Sequence, residues 1–135
     1  MGGGKLLKIN ALVQDWLHWR YHCDIPYSID IEGVFFCHSG LGIVVNPNAK
    51  IGKGTVIQHR VTIGARDDIR DTRAPQIGEN VYIGAGAMLI GNIKVGNNAR
   101  IGAGAVVVKD VPEGATAVGV PAKIIQKNNK NHDTL

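Results

Sequence analysis

The sequence predicts an all-β solenoid, a prism of short parallel strands wound three to a coil. Three observations lead there. Aliphatic residues return every six positions at Val45, Ile51, Ile57, Ile63 and Ile69; after a slip of two residues they return at Ile77, Ile83, Leu89, Val95, Ile101 and Val107, with Val81 between beats. Glycine follows the beat at Gly52, Gly64, Gly78, Gly84, Gly96 and Gly102. Aromatic residues make up only 5% of the chain while glycines number 18, so the core has to be aliphatic and rich in turns. A period of six fits neither the 3.6 of a helix nor the 2 of an alternating strand. Three hexapeptides, each a short strand and a turn, close one coil, and the aliphatic beat stacks inward on its counterpart one coil away. Ile-Gly pairs scattered through an ordinary β domain would not hold phase across eleven beats.

From Leu6 to Tyr21 the apolar residues Leu6, Leu7, Ile9, Leu12, Val13, Trp16, Leu17 and Trp19 recur at roughly helical spacing. This predicts a short amphipathic helix within residues 1–22 that caps the open first coil, because a solenoid leaves unpaired strand edges at its ends. Asp24-Ile25-Pro26 opens an irregular first coil in which Ile29, Ile31 and Phe35 face inward. The segment from Cys37 to Gly42 breaks the beat before Val45 restores it, and a charged stretch from Ala65 to Gln76 breaks it again. Such breaks map to loops that leave one face, often the binding face. After Val107 the chain leaves the repeat through a turn and a closing strand, so residues 23–125 form the solenoid and 126–135 read as a disordered tail.

At 135 residues the chain is one domain. Its net charge of +4 favours an anionic ligand, although Lys5, Lys8, Lys123, Lys127 and Lys130 carry part of the excess as a solvated surface would. No basic stretch is interleaved with aromatics, which argues against nucleic acid. Cys23 and Cys37 form neither a disulfide framework nor a zinc-knuckle spacing and read as reduced thiols. The N-terminal apolar run is too short for a secretory h-region, and no span near twenty apolar residues exists, so a soluble cytoplasmic protein without a membrane span is expected.

Counting through the slip gives a column of Val45, Ile63, Ile83 and Ile101, flanked by Gly64, Gly84 and Gly102 and then by Ala65, Ala85 and Ala103. The GAGA runs at 84–87 and 102–105 therefore lie one coil apart and put a ladder of nearly naked backbone on one corner. Small residues there would let an extended ligand reach main-chain N–H and C=O groups, and they also suit tight turns that bind nothing.

Several stretches resemble the hexapeptide-repeat acyltransferases of the left-handed β-helix class, in their serine acetyltransferase-like branch. They are DIP at 24–26, HSGLGIVV at 38–45, VTIGA at 61–65, IGAGAMLIGNIKVGNNARIGAGAVVVKDVP at 83–112 and GVPAKII at 119–125. The resemblance implies a left-handed parallel β-helix, transfer of an acetyl group from acetyl-CoA to a hydroxyl without a metal, and a homotrimer with its active sites between subunits. A hydroxyl is a poor nucleophile until a base takes its proton. The resemblance gives that role to His38, with Cys37 standing where the family has an aspartate. Asp24 resembles the orienting carboxylate that would fix the imidazole tautomer, with Asp30 and Glu32 as rivals.

In serine-specific relatives the charged loop carries Arg-His-Pro; here it is Arg73-Ala74-Pro75, so the arginine that would hold an amino-acid carboxylate is kept and the histidine is not. About twenty residues stand in place of the large N-terminal helical domain of the cysteine-biosynthesis enzymes. The implied acceptor is L-serine or a sugar hydroxyl of surface-polysaccharide synthesis. Pantetheine would lie along Gly84, Ala85, Gly102 and Ala103, with Lys109 and Lys123 as candidates for the CoA phosphates. His59, one coil from His38, is a candidate for the acceptor pocket.

Two rival classes are a zinc enzyme like the γ-class carbonic anhydrases and a non-catalytic trimeric scaffold. The first needs three imidazoles, yet His18, His22 and His132 fall outside the repeat. The second has no use for His38 beside a thioester groove.

Overall fold

The computed structural model describes residues 11–125 apart from 14, 17 and 68. The expected tail at 126–135 and the helix positions Leu6, Leu7, Ile9 and Leu17 lie outside the described residues.

The chain forms a left-handed parallel β-helix of triangular section. After β1 (Phe35–Phe36), one coil contains β2 (Val44–Val45), β3 (Lys50–Ile51) and β4 (Val56–Ile57). The next contains β5 (Thr62–Gly64), β6 (Gln76–Ile77) and β7 (Tyr82–Ile83), and the third β8 (Met88–Ile90), β9 (Lys94–Val95) and β10 (Arg100–Ile101). The last turn holds β11 (Val106–Val107) and β12 (Thr116–Val118) before the closing strand β13 (Lys123–Ile125). The three walls run β1-β4-β7-β10-β12-β13, β11-β8-β5-β2 and β3-β6-β9. All ladders among these strands are parallel except the last, in which β13 turns back antiparallel on β12.

Each beat residue except Ile69 supplies one inward side chain, and the register stacks them in three columns. Val45, Ile63, Leu89 and Val107 form one, Ile51, Ile77 and Val95 the second, and Ile57, Ile83, Ile101 and Ala117 the third. All of these are buried. Thr55 is the one polar residue among the buried side chains described. Its hydroxyl donates to the Gly78 carbonyl at 3.0 Å and accepts from the Val81 N–H at 3.2 Å, so nothing polar is left unpaired there.

Stacked partners are 18 positions apart within the regular coils, as in Val45 on Ile63 and Ile83 on Ile101, but Ile51 pairs with Ile77, Ile57 with Ile83 and Ile63 with Leu89 at a separation of 26; at the two ends Phe36 pairs with Ile57 at 21 and Ile101 with Ala117 at 16. The break is therefore an insertion of eight residues at one corner, not a slip of two. Ile69, expected on the beat, sits in that loop at 89% exposure. The expected column of Val45, Ile63, Ile83 and Ile101 is corrected accordingly: Gly64 lies beside Ile90, not Gly84. Its two halves stand, Val45 on Ile63 and Ile83 on Ile101, but they belong to different columns.

At the N-terminal end the described residues between 11 and 21 are helical, as expected. Their apolar side chains do not close the first coil: Leu12, Val13, Trp16 and Trp19 are exposed, the last by 75%. Ile29 is buried as expected, whereas Ile31 and Phe35 are exposed, and Phe36 takes the inward place. At the other end the chain crosses the last coil twice: the Val106 N–H donates to Gly119 O at 3.0 Å, and the Ala122 N–H to Val106 O at 2.9 Å.

The register predicts opposite outcomes for two isoleucines six positions apart. Ile63→Ala leaves a void between coils and should cost about 2–5 kcal/mol in denaturant unfolding. Ile69→Ala, in the exposed loop, should stay within about 0.5 kcal/mol of the parent; equal losses at both positions would contradict the eight-residue insertion.

Candidate active site

The first break in the repeat is a tight turn over Cys37–Gly40, between β1 and β2. His38 (φ 51°, ψ 42°) and Ser39 (φ 56°, ψ 24°) both adopt left-handed backbone there. For residues other than glycine such a conformation costs about 1–3 kcal/mol each and persists where surrounding structure imposes it. His38 is exposed, and its ring meets that of His59, which follows β4, with centroids 4.8 Å apart and planes at 85°. The His59 ring is half-buried, and its Nδ1 is sealed from solvent with no hydrogen-bond partner.

No carboxylate bonds to His38 among the described residues. Asp24, expected to orient it, is held by main-chain bridging to Val44, and its exposed side chain lines a cavity of about 530 Å³ with Asn46, Thr62, Ala65 and Thr72. Of the rivals, Asp30 accepts the N–H of Glu32 at 3.0 Å within its own turn. The neighbour of His38 is thus a second imidazole where a carboxylate was expected. Cys37 is half-buried beside this pair; Cys23 is buried, and burial raises its thiol pKa.

The expected ladder is present. Gln58, Tyr82, Gly84, Ala85, Arg100, Gly102 and Ala103 line one cleft of about 360 Å³. The main-chain bonds Gly86 N–H to His59 O, at 3.0 Å, and Gly104 N–H to Ala85 O, at 2.8 Å, put His59, Ala85 and Ala103 in one row up the corner. Within the chain no described group accepts from the Ala85 or Ala103 N–H, so the row offers two main-chain donors one coil apart. Glycine is required beside it: a Cβ on Gly84 would lie 2.6 Å from Ala103 N, and one on Gly102 would lie 2.8 Å from Val118 Cγ1.

Lys123 is exposed on the closing strand, paired with Val118, and does not line this cleft. Lys109 follows β11 on the corner that carries the insertion, one strand away from the ladder corner. Three lining residues escaped the sequence reading: Gln58, Tyr82 and Arg100, with the Arg100 guanidinium carbon 5.2 Å from the Tyr82 ring centroid. Their signal is positional, since Tyr82 and Arg100 each immediately precede an inward beat residue and so face outward on the same wall.

In the inserted loop the Asp67 carboxylate accepts the N–H groups of Ile69 and Arg70, at 2.9 and 3.0 Å, which lowers its pKa. Arg73 is exposed and forks onto Asp71, Nε to Oδ1 at 2.7 Å and Nη2 to Oδ2 at 2.9 Å. This hydrogen-bonded pair lowers the Asp71 pKa and raises that of Arg73. Ala74, in place of the family's histidine, is buried, so the loop presents no second polar group at that position.

Residues 74–109 match the bacterial transferase hexapeptide (six repeats) family. The chain is 39% identical over 130 residues to the chloroplastic serine acetyltransferase 1 of Arabidopsis thaliana, covering 94% of this chain and 41% of that protein. A truncated serine acetyltransferase apoenzyme superposes with a TM-score of 0.80 at 40% identity over 92% of this chain and 52% of its own. A serine acetyltransferase in complex with CoA does so with a TM-score of 0.62 at 47% identity, over 68% and 37%. The chain spans about two fifths of the length of the plant relative. With the stacked coils, the His38 turn and the small-residue ladder in place, the chain belongs to the hexapeptide-repeat acyltransferases, in their serine acetyltransferase branch.

Proposed function

We propose that this protein is an acetyl-CoA-dependent O-acetyltransferase with L-serine as its acceptor. The observation that carries this reading is the placement of His38 against His59 at the foot of the row that continues through Ala85 and Ala103. A thioester whose pantetheine arm accepts hydrogen bonds from those two N–H groups ends beside an imidazole able to take a proton. The serine relatives favour serine as the acceptor. The donor is the chemistry of the CoA-bound relative, and its phosphates suit Arg100.

In the reaction His38 takes the proton of the acceptor hydroxyl as the C–O bond to the thioester carbon forms. The tetrahedral adduct then collapses with cleavage of the C–S bond, and His38 returns the proton to the departing sulfur. Arg73 would hold the acceptor carboxylate once it lets go of Asp71. Assembly as a homotrimer, with the exposed His38 corner closed by a neighbouring copy, completes the proposal.

The test is release of free CoA from acetyl-CoA with L-serine and, in parallel, with a panel of nucleotide sugars and capsule-type oligosaccharides. Turnover with serine supports the acceptor assignment; turnover only with a sugar overturns it while keeping the chemistry, and Ala74 and the Arg73–Asp71 pair then mark a different acceptor pocket. His38→Ala should lower kcat about 100- to 10,000-fold and leave CoA affinity unchanged; a fully active variant removes the base assignment. Ala103→Phe should raise the Kd for CoA at least about tenfold, roughly 1.4 kcal/mol, by calorimetry, whereas an unchanged Kd moves the donor groove elsewhere. Asp71→Asn releases Arg73 and should lower the KM for L-serine; an unaltered KM means that Arg73 does not meet the acceptor.

A further inference from the structure

His59 is the group that the chemistry above does not yet use. Its Nδ1 is buried inside its own chain without a partner, where no neighbouring copy and no substrate can reach it. Three protonation states are available to the ring. The imidazolium would bury an unpaired N–H on a charged ring, and the Nδ1–H tautomer would bury an unpaired donor. The Nε2–H tautomer buries only a lone pair, and orphaned acceptors are tolerated better than orphaned N–H groups. The packing therefore favours the tautomer that carries its proton on Nε2, the ring nitrogen that is not sealed in the way Nδ1 is.

The position of that N–H is as informative as its tautomer. His59 stands in the row whose next members are Ala85 and Ala103, the two open main-chain donors of the cleft. Its ring centroid is 4.8 Å from that of His38, about the spacing between adjacent strands. A donor arm laid along the row thus brings its thioester to a point flanked by a base on one side and a fixed N–H on the other.

We propose that His59 is a catalytic residue, the hydrogen-bond donor to the thioester oxygen as it becomes an oxyanion; this rests on the acetyl-transfer reading. As His38 removes the hydroxyl proton and the C–O bond forms, the carbonyl π pair moves onto oxygen and is stabilised by the His59 Nε2–H. When the C–S bond breaks, the pair returns to the carbonyl, the proton on His38 passes to sulfur, and His59 has kept its own proton throughout. A donor aimed at charge that exists only in the transition state lowers the barrier without tightening the ground state.

The test compares His59→Phe, which keeps a ring against His38, with His59→Gln, whose amide N–H can stand in for Nε2–H. His59→Phe should lower kcat about 100- to 1000-fold with little change in the KM for acetyl-CoA, and His59→Gln should recover activity to within about tenfold of the parent. Parental kcat in the Phe variant overturns the proposal, as does a Gln variant no more active than Phe. A second readout needs no acceptor: the ¹⁵N resonances of the His59 ring, assigned by their loss in His59→Gln, should report one proton, on Nε2. A proton on Nδ1 overturns the proposal. If the parent releases no CoA with any acceptor, the acetyl-transfer reading fails, while the ring spectrum still decides the tautomer.

Discussion

Main-chain hydrogen bonding from each coil to the next is the constraint on which the rest of the structure depends. It locks successive coils about one strand spacing apart and in register, so every inward position has to stack on a side chain of its own kind. Aliphatic residues satisfy that demand without polar atoms, and Thr55 satisfies it only because both of its hydroxyl bonds are made. The walls are consequently committed to stability. The corners are free of this demand, and the groups that carry chemistry are found there: the His38 turn, the row of His59, Ala85 and Ala103, and the eight-residue insertion with Arg73.

The repeat made the coil, the inward beat and the closing strand legible before any coordinates. It could not give the size of the insertion. An isoleucine at 69 lies on phase with Ile63, and a local period cannot distinguish a beat residue from an apolar residue in a loop. Only the pairing of Ile63 with Leu89 decides it. The same limit accounts for Ile31, Phe35 and the helix tryptophans, since apolar spacing identifies a face and is silent about what covers it. The GAGA ladder survived the error because no insertion interrupts the chain between Ile83 and Val107.

Within the site, His38 was legible because it sits in a break of the pattern. Its neighbour was not, because side-chain partners depend on which coils touch. Asp24 lies on another wall through its bridge to Val44, while His59 arrives at His38 through the turn after β4. Arg73 lies in the charged loop, and its local bond to Asp71 is a two-residue matter that no long-range pattern announces. Tyr82 and Arg100 were hidden by their ordinary place, one residue before the beat, and become informative only when adjacent coils set them side by side.

The reversal of β13 has a consequence for the molecule's behaviour in a crowded solution. A parallel stack ends in a strand whose unpaired edge is a template on which another copy could continue the helix, coil on coil, into a fibre. Here the last wall strand is covered by a strand running the other way, and residues 119–122 lie across its neighbour β11. On this wall a further parallel coil would have to displace β13 from the edge of β12. The closing segment thus acts as a terminator of polymerisation, and cutting it away would give the solenoid a growing end.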